Sequence, residues 1–289
     1  MAEGENPLAA LRRDIDRMDD QLHDLLMRRT ETVVAIRDLK RASREPVLRP
    51  AREAAVLRRL IGRHRGPFPK TALVRVWREI MAGQVRVQAP FSVAVLVPGA
   101  GGALWDLARD HFGSATPARR YETARSVLRA VSDGEASVGV VPLPGEDDAD
   151  PWWPALVGSE RNTPRIIARL PFAAPADRTG AQALAIGLIE QEKSGADHSY
   201  VIVEAEGGAS RRTLSDIMAA NGLEPIFLVR RAAPAPDGQL FLAEIASFVA
   251  RDDARLEGLV TADATAIRRA IAVGGFAVPL GAAELAERR

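Results

Sequence analysis

Between Leu8 and Arg41 the chain places large apolar residues at alternating steps of three and four: Leu8, Leu11, Ile15, Met18, Leu22, Leu25, and then Ile36 and Leu39. That spacing draws one stripe along a helix, and such a stripe has to be covered by other helices. Carried through the interval, the rhythm falls on Arg29 and Thr32. A guanidinium at a core position costs roughly several kcal/mol unless something neutralises it. Arg29 is therefore either paired inside the protein or placed to receive an anion. Lys40 follows about three helical turns later and returns to nearly the same face, where it can close the other end of the same pocket.

The distribution of charge supports an anion. The net charge of the 289 residues is +1, but residues 1–89 hold 19 Lys+Arg against 12 Asp+Glu, and the remainder 20 against 26. The first third is basic and the rest acidic, which assigns anion binding to the front of the chain. With no cysteine, disulfides, thiolate nucleophiles and cysteine-bound metals are excluded, and no other residue cluster asks for a metal. The beginning, Met1-Ala2-Glu3-Gly4-Glu5-Asn6, has no signal-sequence pattern, and no apolar run approaches the ~20 residues of a membrane span. The expectation is a soluble cytoplasmic protein with no membrane partner. The basic run Arg58-Arg59-Arg63-Arg65 has no interleaved aromatic residues, so it reads as a solvated helix end and nucleic acid is not an expected partner.

Asn6-Pro7 opens the long helix, and Arg44-Glu45-Pro46 stops it near Ser43. The pattern predicts a second helix from Pro50 to about Arg63, with Val56, Leu57, Leu60 and Ile61 inward and Arg52 and Glu53 leaning to the buried side. Gly66-Pro67-Phe68-Pro69 separates it from a third helix over Lys70 to Gln88, whose inner line runs Leu73, Trp77, Ile80, Gln84, Gln88. One Arg or Gln on an apolar face is most often a satisfied structural residue. Here Arg29, Lys40 and Arg52 occur together with Glu53 and Gln88, and the inner faces offer almost no acids to neutralise them.

These segments resemble a known family. Asn6-Pro7-Leu8 with Leu11-Arg12, Leu25-Leu26-Met27-Arg28-Arg29, Ile36-Arg37-Asp38-Leu39-Lys40, Pro46-Val47 with Arg52-Glu53, and Ile80 through Gln88 are similar to the all-helical class of chorismate mutases. The resemblance implies that Arg12 and Arg29 grip the substrate carboxylates and that Lys40 and Gln88 donate to the ether oxygen of the breaking bond. It further implies that Arg52 and Glu53 help hold a carboxylate and the ring hydroxyl, with Gln84 beside them. The expected reaction, chorismate to prephenate, is an intramolecular rearrangement that needs no nucleophile, metal or cofactor. Two departures stand out: Arg49 occupies a position that is commonly acidic in the family, and Gln84 one that often carries a small hydroxyl residue.

Arg12 and Arg29 are about 26 Å apart along one straight helix. If both serve one small dianion, Arg12 comes from a second, antiparallel copy, which gives a twofold homodimer with shared sites. The family's interlocked helical dimer has that form.

From Ala89-Pro90 onward the pattern changes to strand, turn and helix. Phe91 to Val97 reads as a buried strand, Ala103 to Phe112 as a helix, Thr123 to Ser132 as a helix and Ser137 to Val141 as a strand. Gly99 and Gly101 lack a third glycine, since Leu104 stands there, so a plain strand-turn-helix is expected. Ala130-Val131-Ser132-Asp133-Gly134-Glu135-Ala136 and Val138-Gly139-Val140-Val141-Pro142 resemble the first lobe of prephenate dehydratases. The family's catalytic words are replaced, by Leu143-Pro144-Gly145 and by His198-Ser199-Tyr200, and Trp152 to Asp197 is too short for a complete second lobe. From Ser199 the order is strand (Tyr200 to Val203), helix (Ser210 to Asn221), strand (Ile226 to Arg230), strand (Leu240 to Ser247), a helical region to Ile271, and strand (Phe276 to Pro279). This order resembles the small regulatory ACT domain, with Val229-Arg230-Arg231-Ala232 where the phenylalanine-binding word of that domain stands.

The expected architecture is multidomain: an all-α three-helix N-terminal domain forming an intertwined dimer (1–89), a degenerate prephenate dehydratase-like α/β domain (90–198) and a C-terminal α+β ACT-like domain (199–289). The expected function is a chorismate mutase of phenylalanine and tyrosine synthesis. The alternatives are a bifunctional mutase and dehydratase, and a non-catalytic metabolite-sensing protein.

Overall fold

The computed structural model describes residues 6–43, 45–158, 160–173, 180–233, 238–262 and 267–286. The carboxamide of Asn6 accepts from the Leu8 backbone N–H at 3.0 Å, and Pro7 begins α1 (Pro7–Ser43), a proline being tolerated where no N–H is needed. At the stripe position Thr32 the hydroxyl donates back to the Arg28 carbonyl at 3.1 Å, which satisfies it without a neighbour. Helices α2 (Pro50–Arg63) and α3 (Lys70–Gln88) follow, with Pro50 at the start of α2. No helix among the described residues is long and apolar enough to cross a membrane.

The chain divides into two compact units, Met1–Leu48 with Gln84–Pro90, and Arg49–Gly83 with Phe91–Arg289. In the first, the α1 stripe is a real face, but it is solvent-exposed: Leu8, Leu11, Ile15, Met18, Leu22, Leu25, Ile36 and Leu39 are all exposed, from 42% at Ile36 to 75% at Leu39. In the second unit, α2 and the first part of α3 share a core with the segment around Phe172 and with residues 280–285. Ala54, Leu57, Ile61, Val74 and Met81 meet Phe172, Leu280 and Leu285.

The buried face of α3 differs from expectation. Val74, Arg78, Met81, Ala82, Gln84 and Val85 are buried, and Leu73, Trp77, Ile80 and Gln88 are half-buried. The inner line is turned by about one residue because Phe172, distant in sequence, packs on that side. On α2 the inward residues are Ala51, Ala54, Leu57 and Ile61, with Val56 half-buried, Glu53 mostly buried and Arg52 exposed.

Among the described residues, the rest of the second unit is built on nine strands: β1 (Val93–Leu96), β2 (Ala118–Tyr121), β3 (Val138–Pro142), β4 (Arg165–Leu170), β5 (Ala183–Gly187), β6 (Asp197–Glu206), β7 (Pro225–Ala232), β8 (Gly238–Ile245) and β9 (Ile267–Ala277). Their order is β2-β1-β3-β5-β4-β9-β6-β8-β7. β1 runs parallel to β2 and β3, and β3-β5-β4 are antiparallel. β6 to β9 form an antiparallel set in the order β9-β6-β8-β7. With α6 (Arg211–Ala220) and α7 (Ala254–Ala262) this is a β-α-β-β-α-β, ferredoxin-like arrangement. The remaining helices are α4 (Ala103–Phe112), α5 (Ala124–Ser132) and α8 (Ala282–Leu285).

One core packs Val127, Leu128 and Val131 of α5 with Trp152 and Trp153. Another places Leu214 and Met218 of α6 and Leu256 and Leu259 of α7 among Val201, Val203 and Phe241. The expected helical region to Ile271 is corrected: α7 ends at Ala262, and Ile267–Ile271 is already strand, because Ile267 and Ala272 are buried in that core. β2, an Ala-Arg-Arg-Tyr edge strand with both arginines exposed, has no apolar signal and was not expected.

The two halves of the sheet are joined where β4 runs parallel to β9 at Ile166 and Gly274. Gly274 has φ +101, and a Cβ there would stand 2.7 Å from the Ile166 backbone nitrogen and nearer still to its carbonyl oxygen. Both the left-handed conformation and the close backbone approach require glycine. Gly274→Ala is expected to lower stability by about 2–4 kcal/mol, read as a fall in the midpoint of urea unfolding. A shift under about 0.5 kcal/mol would mean that the joint is not built this way.

Candidate functional site

Arg12 and Arg29 both project from α1 as exposed residues, and their separation along the helix keeps them from meeting on one copy of α1. The backbone of Lys40 lies in α1, and its side chain is outside the described residues. In the same unit Gln84 is buried, and its amide nitrogen has no hydrogen-bond partner among the described residues. One turn later the Gln88 side-chain nitrogen donates to the Gln84 carbonyl at 3.2 Å. The end of α3 therefore presents two amide groups, one of them a buried donor with unmet capacity. Leaving such a donor unmet costs about 1–3 kcal/mol.

In the other unit Arg52 is exposed on α2, and Glu53 is engaged within the protein. Arg78 Nη1 donates to Glu53 Oε2 at 2.7 Å, with Arg78 5% exposed and Glu53 16%. The guanidinium also lies 5.1 Å from the centre of the Phe172 ring, a cation–π contact. Burial raises the Glu53 carboxyl above its ordinary value, and Arg78 counteracts part of that rise. Burial likewise lowers Arg78, opposed by Glu53. Nearby His111 is held well below the usual histidine value, first by burial and then by the Arg78 charge, and so stays neutral. Sequence reasoning missed Arg78. The available signal was its place four residues after Val74 and three before Met81, on the face those two residues bury.

The departure at position 49 also has a partner. Arg49 forks onto Glu192, with its Nη2 donating to Oε1 at 2.8 Å. Arg58, expected in a solvated helix end, is instead bound to the carbonyls of Ser194 (3.1 Å), Ala196 (2.9 Å) and Val278 (2.8 Å) and to the Ser194 hydroxyl (3.0 Å). Arg59, Arg63 and Arg65 are exposed, as expected of that run.

A second polar cluster surrounds His198. Glu244 is buried and receives His198 Nδ1 at 2.7 Å and the Tyr200 hydroxyl at 2.8 Å, with Arg169 Nη1 at 3.5 Å. Burial, and then the Glu244 charge, push the Tyr200 hydroxyl far up, so it remains a donor. The carboxylate at the centre is thus well supplied with donors, as a structural buried network requires. Glu244 lies 46 residues from His198, and nothing local in the sequence links the two.

Residues 11–89 match the family model for chorismate mutase type II. The N-terminal region is a chorismate mutase type II domain. Its range contains Arg12, Arg29, Lys40, Arg52, Glu53, Gln84 and Gln88. The chain is 33% identical over 141 residues to a bifunctional chorismate mutase/prephenate dehydratase of Stutzerimonas stutzeri, covering 47% of this chain and 38% of that protein. A protein of the same description from Pseudomonas aeruginosa is 32% identical over 144 residues, 48% of this chain and 39% of the relative. The chain thus spans less than half the length of these relatives. Among solved structures, prephenate dehydratase from Streptococcus mutans aligns with 65% of this chain and 98% of its own, at 12% identity and a TM-score of 0.48.

The mutase domain's buried ion pair supplies a stability test. Arg78→Met leaves the Glu53 carboxylate buried without its cation and is expected to cost about 3–5 kcal/mol, whereas the double change Glu53→Leu/Arg78→Met recovers most of that loss. Denaturant unfolding of the three proteins reads the difference. Equal stability of the single variant and the parent would show that the pair is not buried.

Proposed function

We propose that the mutase domain catalyses the rearrangement of chorismate to prephenate, and that it does so as a homodimer. The single observation that carries this reading is the family match over residues 11–89, within which every residue type the reaction calls for is present. The reaction requires a flexible dianion to be folded into a compact reactive shape. Arg12 and Arg29 are assigned to its two carboxylates, because forked guanidinium groups match carboxylate geometry. As the carbon–oxygen bond lengthens, charge builds on the ether oxygen. Lys40 and Gln88 are assigned as donors to that oxygen and stabilise the transition state more than the ground state. Arg52, Glu53 and Gln84 are assigned to a carboxylate and the ring hydroxyl, and the unmet buried amide of Gln84 supports a polar ligand at the end of α3.

The dimer is supported by the exposed apolar stripe of α1. A second, antiparallel copy would cover it and bring Arg12 of one chain toward Arg29 of the other. The tail from β6 to β9 is proposed as an ACT-like domain on the strength of its ferredoxin-like order.

The description of the relatives as bifunctional enzymes favours a second reading, in which the chain also dehydrates prephenate. The replacement of the family's catalytic words by Leu143-Pro144-Gly145 and His198-Ser199-Tyr200 argues for mutase activity alone.

Loss of chorismate absorbance is expected with the parent protein, and Lys40→Ala is expected to slow it by about two to three orders of magnitude, the scale of a lost oxyanion-type donor. An unchanged rate in Lys40→Ala would remove the mechanism. The same preparation given prephenate is expected to yield no phenylpyruvate, and its formation would establish the second reading. Arg12→Ala and Arg29→Ala, each inactive alone, are expected to regain activity when mixed and refolded as heterodimers. No recovery would count against shared sites.

A further inference from the structure

Beyond the residues assigned to the mutase, the turn between α2 and α3 forms an open cavity of about 630 Å3 with α8, within the range of small-molecule sites, about 300–1,000 Å3. Its rim is basic: Arg58, His64, Arg65 and Lys70 line it, with Glu284 as the one acid among the described residues. That acid is already in use, since the Glu284 carboxylate accepts from the Gly281 backbone N–H at 2.8 Å. The cations are held mainly by carbonyls, which fix their positions without cancelling their charge. Lys70 Nζ donates to the carbonyls of Glu284 (2.6 Å) and Ala286 (2.9 Å). Arg65 Nη1 donates to those of His64 (2.7 Å) and Gly62 (3.3 Å). The other nitrogens of Arg65 have no hydrogen-bond partner among the described residues.

The lining separates this cavity from an ordinary solvated basic surface. His64 is half-buried in it, with its Nε2 shielded from solvent. The apolar part of the lining is supplied by Ile61, Pro67 and Phe68. Phe68 is 52% exposed, carried on a turn in which Gly66 adopts φ +98. The cavity therefore combines positive charge that no acid among the described residues pairs with and an aromatic wall.

We propose that this cavity binds an organic anion with an aromatic body, of the arylcarboxylate class, its carboxylate paired with Arg65 and its ring packed on Phe68. A hydrated inorganic anion would use the charge and leave the apolar wall wet, and a neutral aromatic would leave the charge unanswered. The ligand that uses both is amphipathic. This site is independent of the mutase reading, because it needs none of the residues assigned to chorismate.

The test uses the full chain and 1-naphthoate as probe, with 1-naphthalenemethanol as its neutral counterpart and inorganic phosphate as the anion without a ring. Calorimetry and probe fluorescence are expected to give saturable 1-naphthoate binding with Kd below about 1 mM. Arg65→Glu and Phe68→Ser, both at exposed positions, are each expected to weaken it by about tenfold or more, equivalent to about 1.4 kcal/mol. The neutral alcohol and phosphate are expected to bind at least about tenfold more weakly than the carboxylate. Thermal unfolding verifies that both variants keep the fold, and either variant alone suffices if the other does not. Absence of binding overturns the proposal. So does binding that both substitutions leave unchanged, which would locate the probe elsewhere, for example on the α1 stripe. Phosphate binding as tight as naphthoate and indifferent to Phe68→Ser also overturns it, since the site would then be only a charged patch.

Discussion

Three arginines tie α2 and the first part of α3 to the sheet, and the architecture of that unit follows from them. Arg58 gathers carbonyls from the connection between β5 and β6 and from the segment after β9, a task suited to a planar group with five donors. Arg49 at the start of α2 forks onto Glu192 of the same connection. Arg78 reaches from α3 to Glu53 on α2 and lies over the ring of Phe172, which Arg58 also approaches at 5.9 Å. A buried charge is tolerable only when such partners are fixed. Separating α2 from the sheet would strand several charges at once. This is the physical reason that residues 49–83 belong to the same compact unit as the strands.

The anchoring bears on how the mutase residues are presented. Arg52 lies three residues after Arg49, and Glu53 four residues after it, so two groups assigned to the substrate sit on a helix whose first turn is held by Glu192. Glu53 itself is balanced by Arg78. The acid that the family commonly has at position 49 is an arginine here, and the structure explains what that arginine does: it binds the sheet unit. A substitution that looks like a change in the substrate pocket is, in this chain, a bond between the start of α2 and the β5–β6 connection of the same compact unit.

Much of this was legible in the sequence where the information is local. The bounds of α2, α3 and α4 follow from prolines, glycines and apolar spacing, which act within a few residues. The continuous apolar runs Tyr200–Val203 and Leu240–Ala243 marked strands, and each has both faces packed on a core. What was hidden depended on distant partners. Arg78 reads as a surface residue until Phe172 and Glu53 are brought to it. Arg58 reads as solvated until the carbonyls of Ser194, Ala196 and Val278 arrive. Glu244 reads as an ordinary strand acid until His198 and Tyr200 converge on it. β2 escaped notice because an edge strand with two exposed arginines has no need of apolar residues. Ile267–Ile271 was read as helix because alternating Ile, Arg and Ala fit either period over so short a stretch.

The stripe on α1 has a different kind of consequence. Eight large apolar residues in line along one face exceed what scattered surface exposure accounts for, and burying a side chain of this size is worth about 1.5–3 kcal/mol. The first half of α1 is acidic, with Arg12, Arg13 and Arg17 against Asp14, Asp16, Asp19, Asp20 and Asp24, and its second half is basic, so an antiparallel pair sets unlike charges side by side. On the proposed dimer, hydrophobic burial drives association and the charge pattern favours the antiparallel direction. A dianion bound between Arg12 of one copy and Arg29 of the other would bridge the two copies further. Ligand binding and association are then thermodynamically linked, because a ligand that binds only the paired state stabilises it by mass action. Arg12 and Arg29, the groups assigned to the substrate, stand on the same helix whose apolar face would drive the pairing, so one element serves both association and binding.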